Sequence, residues 1–102
     1  MTQPHPVGAN GAGGGDQPWL EAVRELVEWA RGATALVVAL GVDAAGGDPE
    51  SPLEVTASGF RSAGRALGEL GLPTVLVQEG GYDLESIGPL VREVLEGMEE
   101  GA

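Results

Sequence analysis

Two short stretches of the chain, 35–40 (ALVVAL) and 74–78 (TVLVQ), are mainly apolar without alternating polar positions. A half-exposed strand alternates between apolar and polar residues, whereas an unbroken apolar run is typical of a parallel sheet that is covered on both faces. The pattern therefore predicts two strands, each buried on both sides. Between them lie a loop and one helical segment, enough for a right-handed crossover that brings the second strand back parallel to the first.

Three other segments carry apolar residues at the spacing of an α-helix. The first runs from Asp16, the predicted N-cap, to about Arg31 and stops at Gly32. The second begins near Thr56 and stops at Gly71, just before the second strand. We expect the first helix to cover one face of the sheet, because its apolar stripe is wide and its glutamates lie on the opposite side.

The second and third helices contain residues that weaken helices locally. Gly64 and Gly68 lie four residues apart in the second helix, a spacing that predicts a close approach of this helix to the sheet. In the third helix, Pro89 either interrupts the helix or begins its main segment. The glutamates near the end of that helix oppose the helix dipole, so we expect this end to fray.

The first fifteen residues differ from the rest of the chain. Residues 1–15 are rich in glycine and proline without apolar periodicity, which predicts a flexible lead-in, and residues 16–102 then form one α/β unit. The glycines of the lead-in do not indicate a phosphate loop, because no strand precedes them and no Gly-Lys-Ser/Thr follows. His5, the only histidine, is expected to be a solvated side chain.

Composition excludes several classes of function. The 102 residues allow one domain, and five arginines, no lysine and sixteen acidic residues give a net charge of -11. Such a chain cannot neutralise rows of phosphates, so nucleic acid and anionic membranes are not expected partners. It has no cysteine for disulfides or thiolate metal sites. Without a recognisable targeting segment or an apolar run long enough to span a bilayer, a cytoplasmic location is expected.

Candidate chemistry lies where the two predicted strands end. Asp43 follows the first strand, and Tyr82 follows the second after Gly80 and Gly81. The carboxyl ends of parallel strands meet at one edge of the sheet, where ligands bind in open α/β folds. The sequence therefore predicts that Asp43 and Tyr82 face one crevice. Taken alone, Asp43 is better explained as a loop or capping aspartate than as a metal ligand, and Tyr82 as a packed boundary aromatic.

Two motifs change that assessment. Gly-Val-Asp followed by Gly-Asp-Pro occurs within 36–56 (LVVALGVDAAGGDPESPLEVT), and Glu-Gly-Gly-Tyr occurs within 71–88 (GLPTVLVQEGGYDLESIG). In this order they resemble the C-terminal part of the histone deacetylase and acetylpolyamine amidohydrolase family, over about residues 19–97. The resemblance implies an α/β fold of the arginase/deacetylase type, here a fragment of the parallel sheet with two strands and three flanking helices.

The resemblance also implies roles for particular residues. It places Asp43 as a carboxylate ligand of a catalytic zinc, Tyr82 as a hydrogen-bond donor to the oxyanion, and Asp48 as a structural aspartate. Gly80 and Gly81 would let the backbone turn tightly and approach the substrate. The implied reaction is hydrolysis of an acetylated amine, such as acetyl-lysine or an acetylpolyamine, in which zinc polarises the amide carbonyl and activates water.

The family's upstream motifs are absent from this sequence. It contains neither the Asp-x-His pair of zinc ligands nor the tandem histidines for acid-base chemistry. We therefore expect a C-terminal segment from a truncated or split reading frame, inactive alone and without stoichiometric zinc. Its expected partner is an upstream fragment or a second copy. The alternative is a non-catalytic α/β interaction module that binds a protein through its open sheet edge.

Overall fold

The structure, a computed structural model, describes residues 15–43, 45 and 54–102. The predicted lead-in, except Gly15, and Asp48 lie outside the described residues. The elements follow one another as α1 (Asp16–Ala30), β1 (Leu36–Gly41), α2 (Ala57–Gly68), β2 (Thr74–Gly80) and α3 (Leu84–Gly101). This confirms the α/β fold class, with two strands and three helices at close to the predicted positions.

The two strands pair in parallel, as predicted. Leu36 lies opposite Thr74 at one end and Gly41 opposite Gly80 at the other, with an irregularity in the register between Leu40 and Gly41. Because α2 forms the crossover between the strands, both carboxyl ends lie at the same edge of the sheet.

The prediction that the strands are buried on both faces is wrong for this chain. Side chains alternate along the sheet, and Val37 is 77% exposed, Val75 59% and Val77 46%. The opposite face is covered, since Leu40 belongs to the core and Leu76 packs against it. Nothing in the described part of the chain covers the outer face. An apolar run predicts that a surface is buried, but it does not predict whether the residues that bury it belong to this chain.

The core lies between the inner face of the sheet, α2 and α3. Phe60 of α2 is completely buried, and Val42 and Val94 are each only 1% exposed. Trp19 of α1 packs its ring edge against Phe60, with ring centroids 5.0 Å apart. This contact attaches α1 to α2. The expectation that α1 covers a sheet face is therefore wrong, because α1 packs on α2 and makes no comparable contact with either strand.

Helices α2 and α3 approach each other through glycines. Gly64 and Gly68 do face a close neighbour, but that neighbour is α3 and not the sheet. Gly97 and Gly101 repeat the same four-residue spacing on α3. A side-chain carbon at any of the four would overlap backbone atoms of the facing helix: Gly64 with Val94, Gly68 with Met98, Gly97 with Arg61, and Gly101 with Arg65.

The acidic end of α3 is held by arginines of α2. Arg61 donates from Nη2 to Glu100 Oε2 at 2.8 Å, and Arg65 donates from Nε to Glu100 Oε1 at 2.9 Å. Hydrogen bonds from Arg61 and then Arg65 lower the pKa of Glu100 to about 2. These pairs offset the unfavourable dipole, and α3 is helical to Gly101, while the expected fraying of this end stays a prediction. Pro89 lies inside the helix without ending it.

The start of α1 is capped differently from the prediction. Gly15, not Asp16, is the N-cap of α1. The Asp16 carboxylate instead accepts hydrogen bonds from Thr56, from the backbone N at 2.7 Å and from Oγ1 at 2.6 Å. Thr56 is the N-cap of α2, as predicted, and its Oγ1 accepts from the backbone N of Gly59 at 3.1 Å. Asp16 thereby joins the starts of two helices.

Candidate functional site

Asp43 stands at the edge where β1 and β2 end. The backbone N of Val42 donates to the carbonyl of Gly80 at 2.9 Å, which extends the pairing by one residue beyond β1. The carboxylate of Asp43 then lies over both strand ends: Oδ1 is 2.7 Å from where a Cβ of Gly41 would be and 2.8 Å from where a Cβ of Gly80 would be. Any side chain at either glycine would displace the carboxylate.

Tyr82 follows the end of β2 after a glycine whose backbone conformation disfavours any side chain. Gly81 has φ +143, a backbone conformation that residues with a side chain rarely adopt, and an added Cβ would meet Val42 Cγ2 at 2.7 Å. Tyr82 itself is 55% exposed. Asp83 next caps α3, accepting from the backbone N of Glu85 at 3.3 Å. Tyr82 therefore lies at the surface two residues beyond Gly80, the glycine next to the Asp43 carboxylate, and the predicted tight turn at Gly80 and Gly81 stays a prediction.

The two ends of the loop that follows Asp43 are fixed. Ala45 and Val55 form an isolated parallel bridge, and they are 6% and 2% exposed. Thr56, the next residue, is held by Asp16. The loop therefore leaves and rejoins the core within a short distance of Asp43.

Sequence reasoning missed two of the residues that shape this edge. Gly41, like Gly80, leaves space for the Asp43 carboxylate. Its position immediately before Val-Asp at the end of a strand could have indicated this role. Asp16 gave no usable signal, because its partner Thr56 is 40 residues away.

The described residues do not complete a metal site. Structural and catalytic zinc sites use three or four protein ligands. Within residues 15–43, 45 and 54–102, no three His, Cys, Asp or Glu side chains come together in a group that could hold a metal ion. Asp43 at this edge is a single carboxylate.

Over residues 15–43, 45 and 54–102, no helix is long and apolar enough to cross a membrane.

Comparison with known proteins agrees with the motifs. The chain is 46% identical over 78 residues to an acetylpolyamine amidohydrolase of Burkholderia pseudomallei, an alignment that covers 76% of the chain and 22% of that protein. It is 42% identical over 78 residues to acetylpolyamine amidohydrolase 2 of Pseudomonas aeruginosa, again with 76% and 22% coverage. The chain thus spans less than a quarter of the length of these relatives.

Solved structures show the same relation. The chain superposes on the crystal structure of acetylpolyamine aminohydrolase from Burkholderia pseudomallei with a TM-score of 0.81 and 36% identity, covering 96% of this chain and 28% of that one. For the crystal structure of the HDA15 HD domain the TM-score is 0.76 with 30% identity, covering 90% and 27%. The sequence profile of the histone deacetylase domain matches residues 7–98, so the chain belongs to the histone deacetylase domain family.

Proposed function

We propose that the chain is the segment of a zinc-dependent deacetylase-like hydrolase that supplies one zinc ligand and one oxyanion donor for the hydrolysis of acetylated amines. The observation that supports this most directly is the position of the Asp43 carboxylate, which lies against Gly41 at the end of β1 and against Gly80 at the end of β2. Tyr82 follows Gly80 by two residues. The glycines at both strand ends leave room for this carboxylate, and the Gln78 side chain donates from Nε2 to the Gly80 carbonyl at 3.1 Å at the same edge.

Asp43 is proposed as one ligand of the zinc. The described residues do not fit a complete zinc site, since no group of three potential ligands forms among them. The acid-base histidines and the Asp-x-His ligands must then come from another part of the family domain, because this sequence contains neither. On this proposal the chain alone is inactive.

Tyr82 is proposed as the donor to the oxyanion. A phenol hydroxyl that points at the reacting carbonyl stabilises the negative charge that develops on oxygen, and loss of one such donor typically costs about 2 to 4 kcal/mol of barrier. Tyr82 lies two residues beyond the end of β2 and is 55% exposed, so a substrate can reach it. Gly80 and Gly81 are proposed to let the substrate approach the backbone.

Among acetylated amines, we favour an acetylpolyamine over acetyl-lysine. The curated relatives described above are named as acetylpolyamine amidohydrolases. The net charge of -11 gives an electrostatic reason in the same direction, because a polyamine keeps one or more ammonium groups after acetylation and an acidic surface raises its local concentration.

The proposal is tested by complementation. The chain is co-expressed with the part of the Burkholderia pseudomallei acetylpolyamine amidohydrolase outside the 78 matched residues, and release of acetate from N-acetylputrescine is measured with and without chelator. We expect chelator-sensitive turnover by the pair and none by either part alone. Tyr82→Phe should lower the turnover of the pair by about thirtyfold to a thousandfold, which corresponds to about 2 to 4 kcal/mol.

The control is Leu84→Ala, which alters a neighbouring side chain that is 84% exposed. We expect it to leave turnover within about twofold of the wild type, because an exposed side chain outside the site contributes little. Equal turnover for Tyr82→Phe and the wild type would remove Tyr82 from the reaction. A pair that stays inactive while forming a stable complex would favour the non-catalytic interaction module.

A further inference from the structure

The residue before Tyr82 is held between the end of the sheet and α3. An added Cβ at Gly81 would lie 2.7 Å from Val42 Cγ2 and 3.0 Å from Ile87 Cγ1, so both side chains pack against this glycine. Val42 belongs to the buried core, and Ile87 of α3 packs against that core. One residue earlier, the Gly80 carbonyl accepts a hydrogen bond from the backbone N of Val42 at 2.9 Å. The chain therefore reaches Tyr82 from a fixed position.

The residue after Tyr82 is held by the first turn of α3. The Asp83 carboxylate accepts hydrogen bonds from the backbone N of Glu85 at 3.3 Å and from Ser86 Oγ at 2.8 Å. The Asp83 carbonyl accepts from the backbone N of Ser86 at 2.9 Å and from that of Ile87 at 3.2 Å. Each oxygen of the carboxylate thus has a partner in the helix that it caps, which fixes Asp83 to α3.

One turn of α3 thus acts on both sides of Tyr82. Ile87 packs its side chain against Gly81 and donates its backbone N–H to Asp83. Tyr82 itself is 55% exposed, so packing covers less than half of it. The position of Tyr82 relative to the strand ends therefore depends on its two neighbours more than on its own burial.

We infer that Asp83 is a positioning residue for Tyr82, because its carboxylate anchors to α3 the backbone that carries the phenol. This inference rests on the proposed role of Tyr82 as the donor to the oxyanion. Such a donor stabilises the developing charge only when it is held in place before the reaction, and a displacement of about 1 Å costs about a hundredfold in rate. Asp83 itself is not assigned any contact with the reacting atoms.

The first test follows the mobility of Tyr82 in the chain alone and does not depend on activity. Tyr82 is the only tyrosine, so fluorotyrosine labelling places fluorine at this one residue. In Asp83→Ala we expect the transverse relaxation of the fluorine signal to slow by about twofold or more, because the loosened side chain moves faster. Asp83→Asn should relax as the wild type does, because asparagine caps helices as well as aspartate does.

Two further variants separate anchoring from a general loss of stability. Gly97→Ala lies at the other end of α3 and should leave the fluorine signal of Tyr82 unchanged. Ser86→Ala removes only the hydrogen bond to Asp83 Oδ2, so it loosens Tyr82 less than Asp83→Ala and serves in its place if that variant does not fold. Unchanged relaxation in a folded Asp83→Ala, or in Ser86→Ala where it takes that place, would overturn the inference.

The second test measures turnover of N-acetylputrescine by the co-expressed pair described above. Asp83→Ala should lower kcat about tenfold to a hundredfold and leave KM within about twofold, because the loss concerns placement at the reacting carbonyl. Asp83→Asn should stay within about twofold of the wild type, because it keeps the cap without the charge. In the Tyr82→Phe background, Asp83→Ala should cause no further loss, because the donor that it positions is already absent.

The outcomes distinguish this inference from the proposed function. Asp83→Asn as slow as Asp83→Ala would show that Asp83 acts through its charge, and an equal loss from Asp83→Ala with and without Tyr82→Phe would show that it does not act through Tyr82. Either result would overturn the inference. An inactive pair, or unchanged turnover in Tyr82→Phe, would refute the proposed function, while the fluorine relaxation would still decide whether Asp83 anchors Tyr82.

Discussion

Replacing Gly97 by alanine should destabilise the fold, although alanine favours helices. The new Cβ would overlap the Arg61 carbonyl oxygen and lie 3.0 Å from its carbon and 3.1 Å from the backbone N of Arg65. Backbone atoms cannot rotate away, so α2 and α3 must separate. Overpacking costs about 1 to 3 kcal/mol, and because this overlap is with backbone atoms we take the upper part of that range, about 2 to 3 kcal/mol, against which the gain in helix propensity returns about 1 kcal/mol. We expect a net loss of about 1 to 2 kcal/mol.

The measurement is urea unfolding followed by circular dichroism. With a denaturant slope of about 2 kcal/mol per molar, the midpoint should fall by about 0.5 to 1 M. Gly88→Ala is the control in the same helix, because nothing lies within 4 Å of its added Cβ except chain neighbours and the helix itself. The restriction that Pro89 imposes on the preceding residue offsets its propensity gain, so little change is expected. A Gly97→Ala midpoint equal to that of Gly88→Ala would refute the glycine contact between α2 and α3.

Three further outcomes are expected. The lowered pKa of Glu100, about 2, means that its pairing contributes stability above the unfolded pKa near 4.3, which is lost as the pH falls towards 2. Acid titration followed by circular dichroism should therefore show a shallower loss for Glu100→Gln than for the wild type, whereas Glu99→Gln should follow the wild type. Asp16→Ala should cost about 1.5 to 3 kcal/mol in urea unfolding, because it removes both charge-assisted hydrogen bonds to Thr56; an unchanged midpoint would contradict this. Elemental analysis of the purified chain alone should find no stoichiometric zinc, and one tightly held zinc lost in Asp43→Ala would contradict our assignment of the ligands.

Local patterns predicted the elements and the edge at which the candidate site lies. The apolar runs gave both strands, and the helical segment between them gave their parallel pairing. Asp43 was located by its position after a strand end, and the structure places its carboxylate against Gly80 of the neighbouring strand. The proposed roles of Asp43 and Tyr82 came from the family motifs, because a single carboxylate or phenol does not define a chemistry by itself.

The errors arose where a pattern shows that a surface is buried but not what buries it. The glycines of α2 indicated a close neighbour, and the matching pair of glycines on α3 was the signal that this neighbour is a helix. The valines of the strands indicated a covered sheet, but the cover is not among the described residues. Aspartate is common at N-caps, yet the Asp16 carboxylate accepts its hydrogen bonds from Thr56. A local sequence pattern cannot indicate this partner, because Thr56 is 40 residues away.

The bridge between Ala45 and Val55 has a consequence for how this segment tolerates change. The bridge fixes both ends of the loop after Asp43 at the core. The number of residues in the loop therefore does not determine where the Asp43 carboxylate lies. Extending a pinned loop is inexpensive, since each doubling of length costs only about 0.6 kcal/mol. As long as this bridge forms, the Asp43 carboxylate keeps its place against Gly41 and Gly80 whatever the length of chain between Ala45 and Val55.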